Sequence, residues 1–177
     1  MRSTLMLLAA LYLAGVSVSL AEDTGKVAFS AAATSKFANL PGLPACATLS
    51  VQRGDPSKGP ATILLKATSG CAIPWHWHSA NEQLFMIGGR AKIEMKEGAP
   101  ISFRAGDFAF LPAKHAHQFT CIAACMLFNL PDGAFDIHYV DGDGKEISSD
   151  DALKAPARKG HATKMKMSAP AAETTEQ

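Results

Sequence analysis

The chain has six histidines, and four of them fall in two short clusters, His76-Trp77-His78 and His115-Ala116-His117. Two histidines separated by one residue on a β-strand project from the same face. Their Cα atoms then lie about 6.6 Å apart, which lets both imidazoles converge on one ion. Glu82 has matching parity with His76 and can return to the same point across an intervening bend. The second cluster supplies at least one further imidazole. Three His nitrogens and one Glu oxygen form a borderline-hard set that suits Fe, Mn, Ni, Cu, Co or Zn, and argues against Ca or Mg, which prefer oxygen alone. Four protein ligands on a five- or six-coordinate metal leave positions open for water, O₂ or a bidentate acid. The plain alternative is a set of surface histidines on a β face. Glu82 at fitting parity and a second His-x-His both count against it.

His115 is two residues before His117 and is a candidate base or substrate contact, or an exposed turn residue. Trp75 and Trp77 have opposite parity to the ligand candidates and are expected to pack on the other side of the sheet. Phe85, Met86, Met95, Phe108, Phe110 and Phe128 are expected to line or back the barrel, and His138 to be structural. Asp141-Gly142-Asp143-Gly144 is a turn, because Lys145 and Glu146 stand where a calcium loop needs other residues. His161, Met165 and Met167 form a weak copper-recruiting pattern in an otherwise basic tail. No nucleophile elbow, phosphate loop, dinucleotide fingerprint or paired-carboxylate arrangement occurs.

The elements that must position these groups are short strands. Apolar residues make up 47% of the 177-residue chain, enough for one domain with a sizeable core. A net charge of +1 argues against a whole-surface attraction to nucleic acid or anionic membrane. Strand candidates are 46–51, 61–66, an alternating stretch after the Gly70 to Pro74 break that ends at Gly88-Gly89, and 90–96, 101–104, 108–111, 118–130 and 135–140. They are separated by turn formers such as Arg53 to Pro60, Gly88-Gly89 and Glu97 to Pro100. The 118–130 run contains no Gly or Pro, and after Gln118 a single strongly polar residue, Asn129. Eight or nine short strands without a long helical pattern predict an all-β sandwich or barrel. Asp150 to Lys154 is a candidate helical turn.

Arg2, the uncharged apolar stretch from Leu5, and Ser19-Leu20-Ala21 predict a signal peptide, residues 1–21, cleaved before Glu22. An uncleaved anchor is the alternative. The remaining organisation is an N-terminal arm (22–44), the barrel (45–145), and a short C-terminal segment with a disordered tail (146–177). The expected location is periplasmic or secreted, with no stable membrane insertion after cleavage. Export permits disulfides among Cys46, Cys71, Cys121 and Cys125. On a straight strand Cys121 and Cys125 lie about 13 Å apart, beyond the 4.4–6.8 Å or so that a disulfide spans. They are therefore expected not to pair with each other, which leaves the two other full pairings, or free buried thiols.

The segment Gly70, His76, His78, Glu82, Gly89 resembles the first motif of the cupin superfamily, G-x5-H-x-H-x3,4-E-x6-G, at every position. The second motif, G-x5-P-x-G-x2-H-x3-N, is matched by Gly106, Pro112 and His117, with Lys114 at the second glycine and Cys121 at the asparagine. The GDPSKGP loop and the Trp-His-Trp-His run add a finer likeness to small single-domain cupins. The resemblance implies an all-β fold, a small cupin-type barrel of two antiparallel sheets (a double-stranded β-helix), which often forms homodimers. It implies one divalent transition metal, held by His76, His78, Glu82 and His117 inside the barrel. Lys114 in place of glycine demands either an easier backbone angle or a strained one.

The function expected on this basis is an exported, metal-dependent enzyme acting on a small organic substrate. A dioxygenase-like oxidoreductase is the leading reading, with Glu82 and His115 as catalytic candidates. The alternatives are a decarboxylase, isomerase or lyase, and a non-catalytic module that binds or senses a metal or small ligand.

Overall fold

The computed structural model describes Val27 and residues 29–154. The expected signal peptide and the 157–177 tail, with His161, Met165 and Met167, lie outside the described residues. Among these residues eight strands are formed: β1 (Ala47–Gly54), β2 (Ala61–Ala67), β3 (Ala72–Trp77), β4 (Glu82–Met95), β5 (Ile101–Arg104), β6 (Phe108–Leu111), β7 (His117–Pro131) and β8 (His138–Tyr139). Among the described residues one helix, α1 (Ser149–Lys154), follows. Ser148 Oγ accepts from the Asp151 amide (3.1 Å) and donates to its carboxylate (2.7 Å), closing the helix N-terminus. Every pairing is antiparallel.

Two long strands carry the architecture. β4 and β7 pair along their whole lengths, from Glu82 opposite Pro131 to Met95 opposite His117. The other edge of β4 is shared by β6, next to its start, and β5, next to its end. The other edge of β7 is shared by β3, opposite Thr120 and Phe119, and by β2, opposite Cys125 to Asn129. The sheet curls round a core whose most completely enclosed side chains include Tyr139, Phe103, Ile63, Leu64, Ile93 and Leu127. Alternate residues of β7 point inward, including His117, Phe119, Cys121, Cys125, Leu127 and Asn129. This is the small all-β barrel expected from strand spacing.

β4 runs through Gly88-Gly89, where a strand break was expected. Between Ala91 opposite Cys121 and Gly88 opposite Met126, β7 advances five residues while β4 advances three. The excess bulges out at Ile122-Ala123-Ala124, all exposed. The bulge draws the Cα atoms of Cys121 and Cys125 to 5.9 Å, and these cysteines are bonded to each other. This corrects the expectation, because the straight-strand separation does not apply across two extra residues. Cys46 pairs with Cys71, and no cysteine is free. The two bridges meet at the same corner: Cys121 N–H donates to Cys71 O (2.9 Å) and Gly70 N–H to Cys121 O (2.8 Å).

Residues 38–43 of the arm are tied to the barrel. Ala38 bridges Leu49, Leu43 is buried, and the Tyr139 hydroxyl donates to Gly42 O at 2.7 Å. Phe85, Phe108 and Phe110 do not line the barrel: they are 41%, 54% and 53% exposed on the outer face of β4 and β6. Pairing parity explains the difference, since Glu82, Leu84 and Met86 take the inward positions of β4. Met86 is buried as expected.

Candidate metal centre

Three elements converge on one buried point. His76 ends the inward series of β3, His78 follows immediately after the strand, Glu82 opens β4 and His117 opens β7. His76 lies directly opposite His117 in the β3–β7 pairing. The imidazole centroids are 4.3 Å apart for His76–His117, 4.8 Å for His76–His78 and 5.5 Å for His78–His117. One ring nitrogen from each histidine falls within 4.8 Å of the others, so the three form a group able to hold a metal ion. Glu82 Oε2 sits 3.2 Å from His78 Nε2 and 3.6 Å from His117 Nε2. The structure thus brings His76, His78 and His117 into one group, with Glu82 beside His78 and His117 but outside that three-histidine group; all four are nine-tenths or more buried.

Each imidazole is oriented from behind by a backbone carbonyl. His76 Nδ1 faces Pro74 O (2.6 Å), His117 Nδ1 faces His115 O (3.0 Å), and His78 Nδ1 makes a short contact to Asp136 O. A carbonyl can only accept, so each Nδ1 carries the proton and each Nε2 is left with a lone pair. Burial sets the charge state. It holds His76 well below the ordinary histidine range, reinforced by the neighbouring His117 and His78. Burial also lowers His78 and His117, and raises Glu82 against the opposing pull of His117 and Asn129.

The neutral imidazoles of His78 and His117 turn Nε2 lone pairs toward a carboxylate oxygen, so acceptors face an acceptor. A cation at their meeting point resolves that conflict, so the residues present fit a transition metal. The nitrogen-rich donor set favours Fe, Mn, Co, Ni, Cu or Zn over Ca or Mg.

Behind Glu82 stands Asn129 of β7, whose Nδ2 donates to Glu82 Oε1 at 2.5 Å. Its Oδ1 is buried and has no partner among the described residues. An unpaired buried acceptor costs about 1–3 kcal/mol. Sequence reasoning did not place Asn129 in the site, although its position as the lone strongly polar residue in the 118–130 run was a usable signal. A pocket of about 480 Å³, its open mouth included, adjoins the four ligand candidates and Asn129; apolar residues such as Leu43, Phe119, Phe135 and Ile137 form the rest of the lining. Phe135 stacks on His78 with centroids 5.0 Å apart. Residues 132–137 form a loop, although a strand was expected from Phe135; only His138–Tyr139 pair as β8.

The His115 imidazole is exposed and is not among the pocket-lining residues. Its contribution to the centre is the carbonyl that orients His117. His138 lies outside the pocket, stacked on Trp77 at 3.9 Å and 3.2 Å from Asp136 Oδ2, in keeping with a structural role. Trp75 lies beneath the Lys96 ammonium, 4.6 Å from ring to nitrogen, also away from the imidazoles. Lys114, in the second motif, adopts φ 61°, and its N–H donates to His78 O at 2.8 Å. The chain therefore takes the strained option at the missing glycine.

The fold is shared with solved cupin structures. An RmlC-like cupin from Ralstonia eutropha JMP134 matches with TM-score 0.57 and 18% identity, covering 73% of this chain and 82% of that one. The polyketide cyclase RemF from Streptomyces resistomycificus matches with TM-score 0.57 and 13% identity, covering 66% and 87%. An RmlC-like cupin from Shewanella frigidimarina NCIMB 400 matches with TM-score 0.52 and 16% identity, covering 62% and 93%. No curated protein sequence matches this chain. The model of the ChrR cupin-like domain matches residues 28–132, more than half of the sequence and all four ligand candidates. With its barrel, its two histidine motifs and this match, the chain belongs to the ChrR cupin-like family of the cupin superfamily.

Proposed function

We propose that the chain is a metal-dependent cupin enzyme that binds one transition metal through His76, His78, Glu82 and His117 and acts on a small organic molecule held in the adjoining pocket. The observation that carries this reading is the convergence of three imidazoles within 4.8 Å at a buried point opening onto apolar walls, with Glu82 Oε2 beside His78 and His117. A metal bound there supplies Lewis acidity and, for a redox-active ion, O₂ chemistry. The chain's own residues do the rest. The carbonyls of Pro74, Asp136 and His115 fix the imidazoles. Asn129 holds one oxygen of Glu82 so that the other faces the histidines. Glu82, raised by burial, is suited either to ligate or to hold a proton at Oε2. The apolar walls exclude bulk water from the reacting atoms.

Dioxygenase-like chemistry is the leading form of the proposal, and a lyase, isomerase or decarboxylase uses the same centre. RemF, of the same fold, is a cyclase acting on polyketides, which supports an organic substrate without selecting the reaction. The two disulfides support an exported protein, periplasmic or secreted.

The test is metal analysis of the purified protein, followed by turnover screens with and without O₂. O₂ uptake lost with a chelator and restored by Fe(II) supports the oxygenase form. Metal-dependent turnover without O₂ supports the others. One bound metal without turnover of any compound screened would favour a non-catalytic binding or sensing module.

A further inference from the structure

Among the described residues that line the pocket, the polar side chains are the three histidines, Glu82 and Asn129; none is Lys or Arg. A second charged group on a bound molecule would therefore be buried without a counter-charge. Asn129 is 6% exposed, its Nδ2 is committed to Glu82 Oε1, and its Oδ1 lacks any partner. Turning the amide over would set Oδ1 against a carboxylate oxygen, so the contact to Glu82 fixes which end is free. Asn129 thus lines the pocket and carries one fixed, buried and unsatisfied acceptor next to a centre that can hold the head of a ligand.

Resting on the metal-centre reading above, we infer that Asn129 Oδ1 is a specificity-determining acceptor. It selects an apolar-bodied molecule whose metal-binding head carries a neighbouring O–H or N–H donor, with no second charge. Leu, Ile and Phe side chains contact the body, and the donor satisfies Oδ1. A molecule with a capped donor leaves Oδ1 unpaired, and that difference is the source of discrimination.

The experiment uses Co(II)-loaded protein, whose visible absorption reports ligand binding, with benzohydroxamic acid and N-methylbenzohydroxamic acid as probes. Both present the same two oxygens to the metal and differ in one N–H. Wild type is expected to bind the N–H form about tenfold more tightly, the factor for one neutral hydrogen bond. Asn129→Leu should abolish the preference, read as the ratio of the two affinities within the same Co(II)-loaded variant, whatever the absolute affinity of either probe. 4-Carboxybenzohydroxamic acid should bind wild type at least about tenfold more weakly than benzohydroxamic acid.

Equal affinities for the first two probes in wild type, or the same preference in Asn129→Leu, would overturn the inference, and full-strength binding of the carboxylated probe would overturn its charge component. Because Asn129→Leu also releases Glu82, a crystal structure of the Zn(II)-loaded wild type with benzohydroxamic acid supplies a second reading. The probe N–H within hydrogen-bond distance of Oδ1 supports the inference, and a water there instead overturns it. Failure to take up Co(II) at all would sink the metal-centre reading beneath it, an outcome distinct from uptake without discrimination.

Discussion

Gly89 faces the carbonyl of Ala124 so closely that a β-carbon at this position would lie 2.0 Å from that oxygen and 2.7 Å from Cys125 Cα. Its φ of 84° is also one that L-residues with side chains rarely adopt. The glycine that closes the first histidine motif is thus the point where β4 admits the β7 bulge. Gly89→Ala is expected to lower stability by about 3 kcal/mol, combining backbone overlap with the left-handed angle. Denaturant unfolding checks it. Gly88→Ala is the control, since a β-carbon there would meet nothing within 4 Å.

The bulge also predicts the disulfide map. Non-reducing peptide mapping should recover Cys46–Cys71 and Cys121–Cys125. A Cys71–Cys121 crosslink would show a different β7 path. The Cys46–Cys71 bridge separates residues 25 apart in sequence and the other bridge residues 4 apart. Loop-closure entropy then assigns about 3.5 kcal/mol to the first and about 2 kcal/mol to the second. Cys46→Ala/Cys71→Ala should therefore unfold at lower denaturant than Cys121→Ala/Cys125→Ala, apart from packing losses shared by both.

Local pattern carried much of this molecule and missed particular parts for physical reasons. Parity placed His76, His78 and Glu82 toward one point because burial alternates over 76–78 and from Glu82 to Ile87, beyond the irregularity between Ile73 and His76. The turn formers of 53–60 and 97–100 marked real chain reversals. The Cys121–Cys125 bond was hidden because a bulge depends on which residue of the neighbouring strand can accept it. The inward role of Asn129 and the packing of Phe135 on His78 depend on long-range register. Aromatic identity favoured burial for Phe85, Phe108 and Phe110, whereas β4 parity sends them outward.

Lys114 offers a test of the departure from the second motif. With φ at 61° it bears a left-handed backbone that costs a side-chain-bearing residue about 1–2 kcal/mol. Part of that is offset in a glycine variant by greater freedom of the unfolded chain. Lys114→Gly is expected to raise stability by about 0.5–1 kcal/mol. Lys114→Val should lower it, because a β-branched residue tolerates this angle poorly. Thermal and urea unfolding of the three proteins should follow the order Gly, Lys, Val.

Metal-free protein should lose stability as pH falls below about 6.5, the ordinary histidine value. The folded values of His76, His78 and His117 are all depressed, mainly by burial. Above the unfolded value both states are neutral there and no penalty exists. As pH falls toward the folded values, the unfolded chain binds protons that the folded one refuses, so the equilibrium moves toward unfolding. Glu82 acts in the opposite sense: its folded value is raised by burial, so its ionisation disfavours the fold as pH rises above the ordinary carboxylate range. Three histidines against one glutamate set the net direction between pH 7 and 5. Urea midpoints that stay flat across that interval would contradict the burial argument.

Metal loading should change both the level and the shape of that profile. A cation at the four side chains binds only the folded arrangement and so stabilises it by mass action. Protons must now displace the metal, which moves the loss of stability to lower pH. His76→Ala and His78→Ala each remove one nitrogen from a preoriented set and should reduce metal affinity at least about tenfold. Asn129→Leu leaves all four donors in place but frees Glu82, so a smaller loss is expected. His115→Ala should leave occupancy unchanged, because the group that orients His117 is the His115 carbonyl, which the substitution retains. Chelator competition and X-ray absorption spectroscopy on the five proteins supply the measurement. A His76→Ala, His78→Ala double variant that kept one metal per chain in wild-type coordination would remove the basis for placing the centre here.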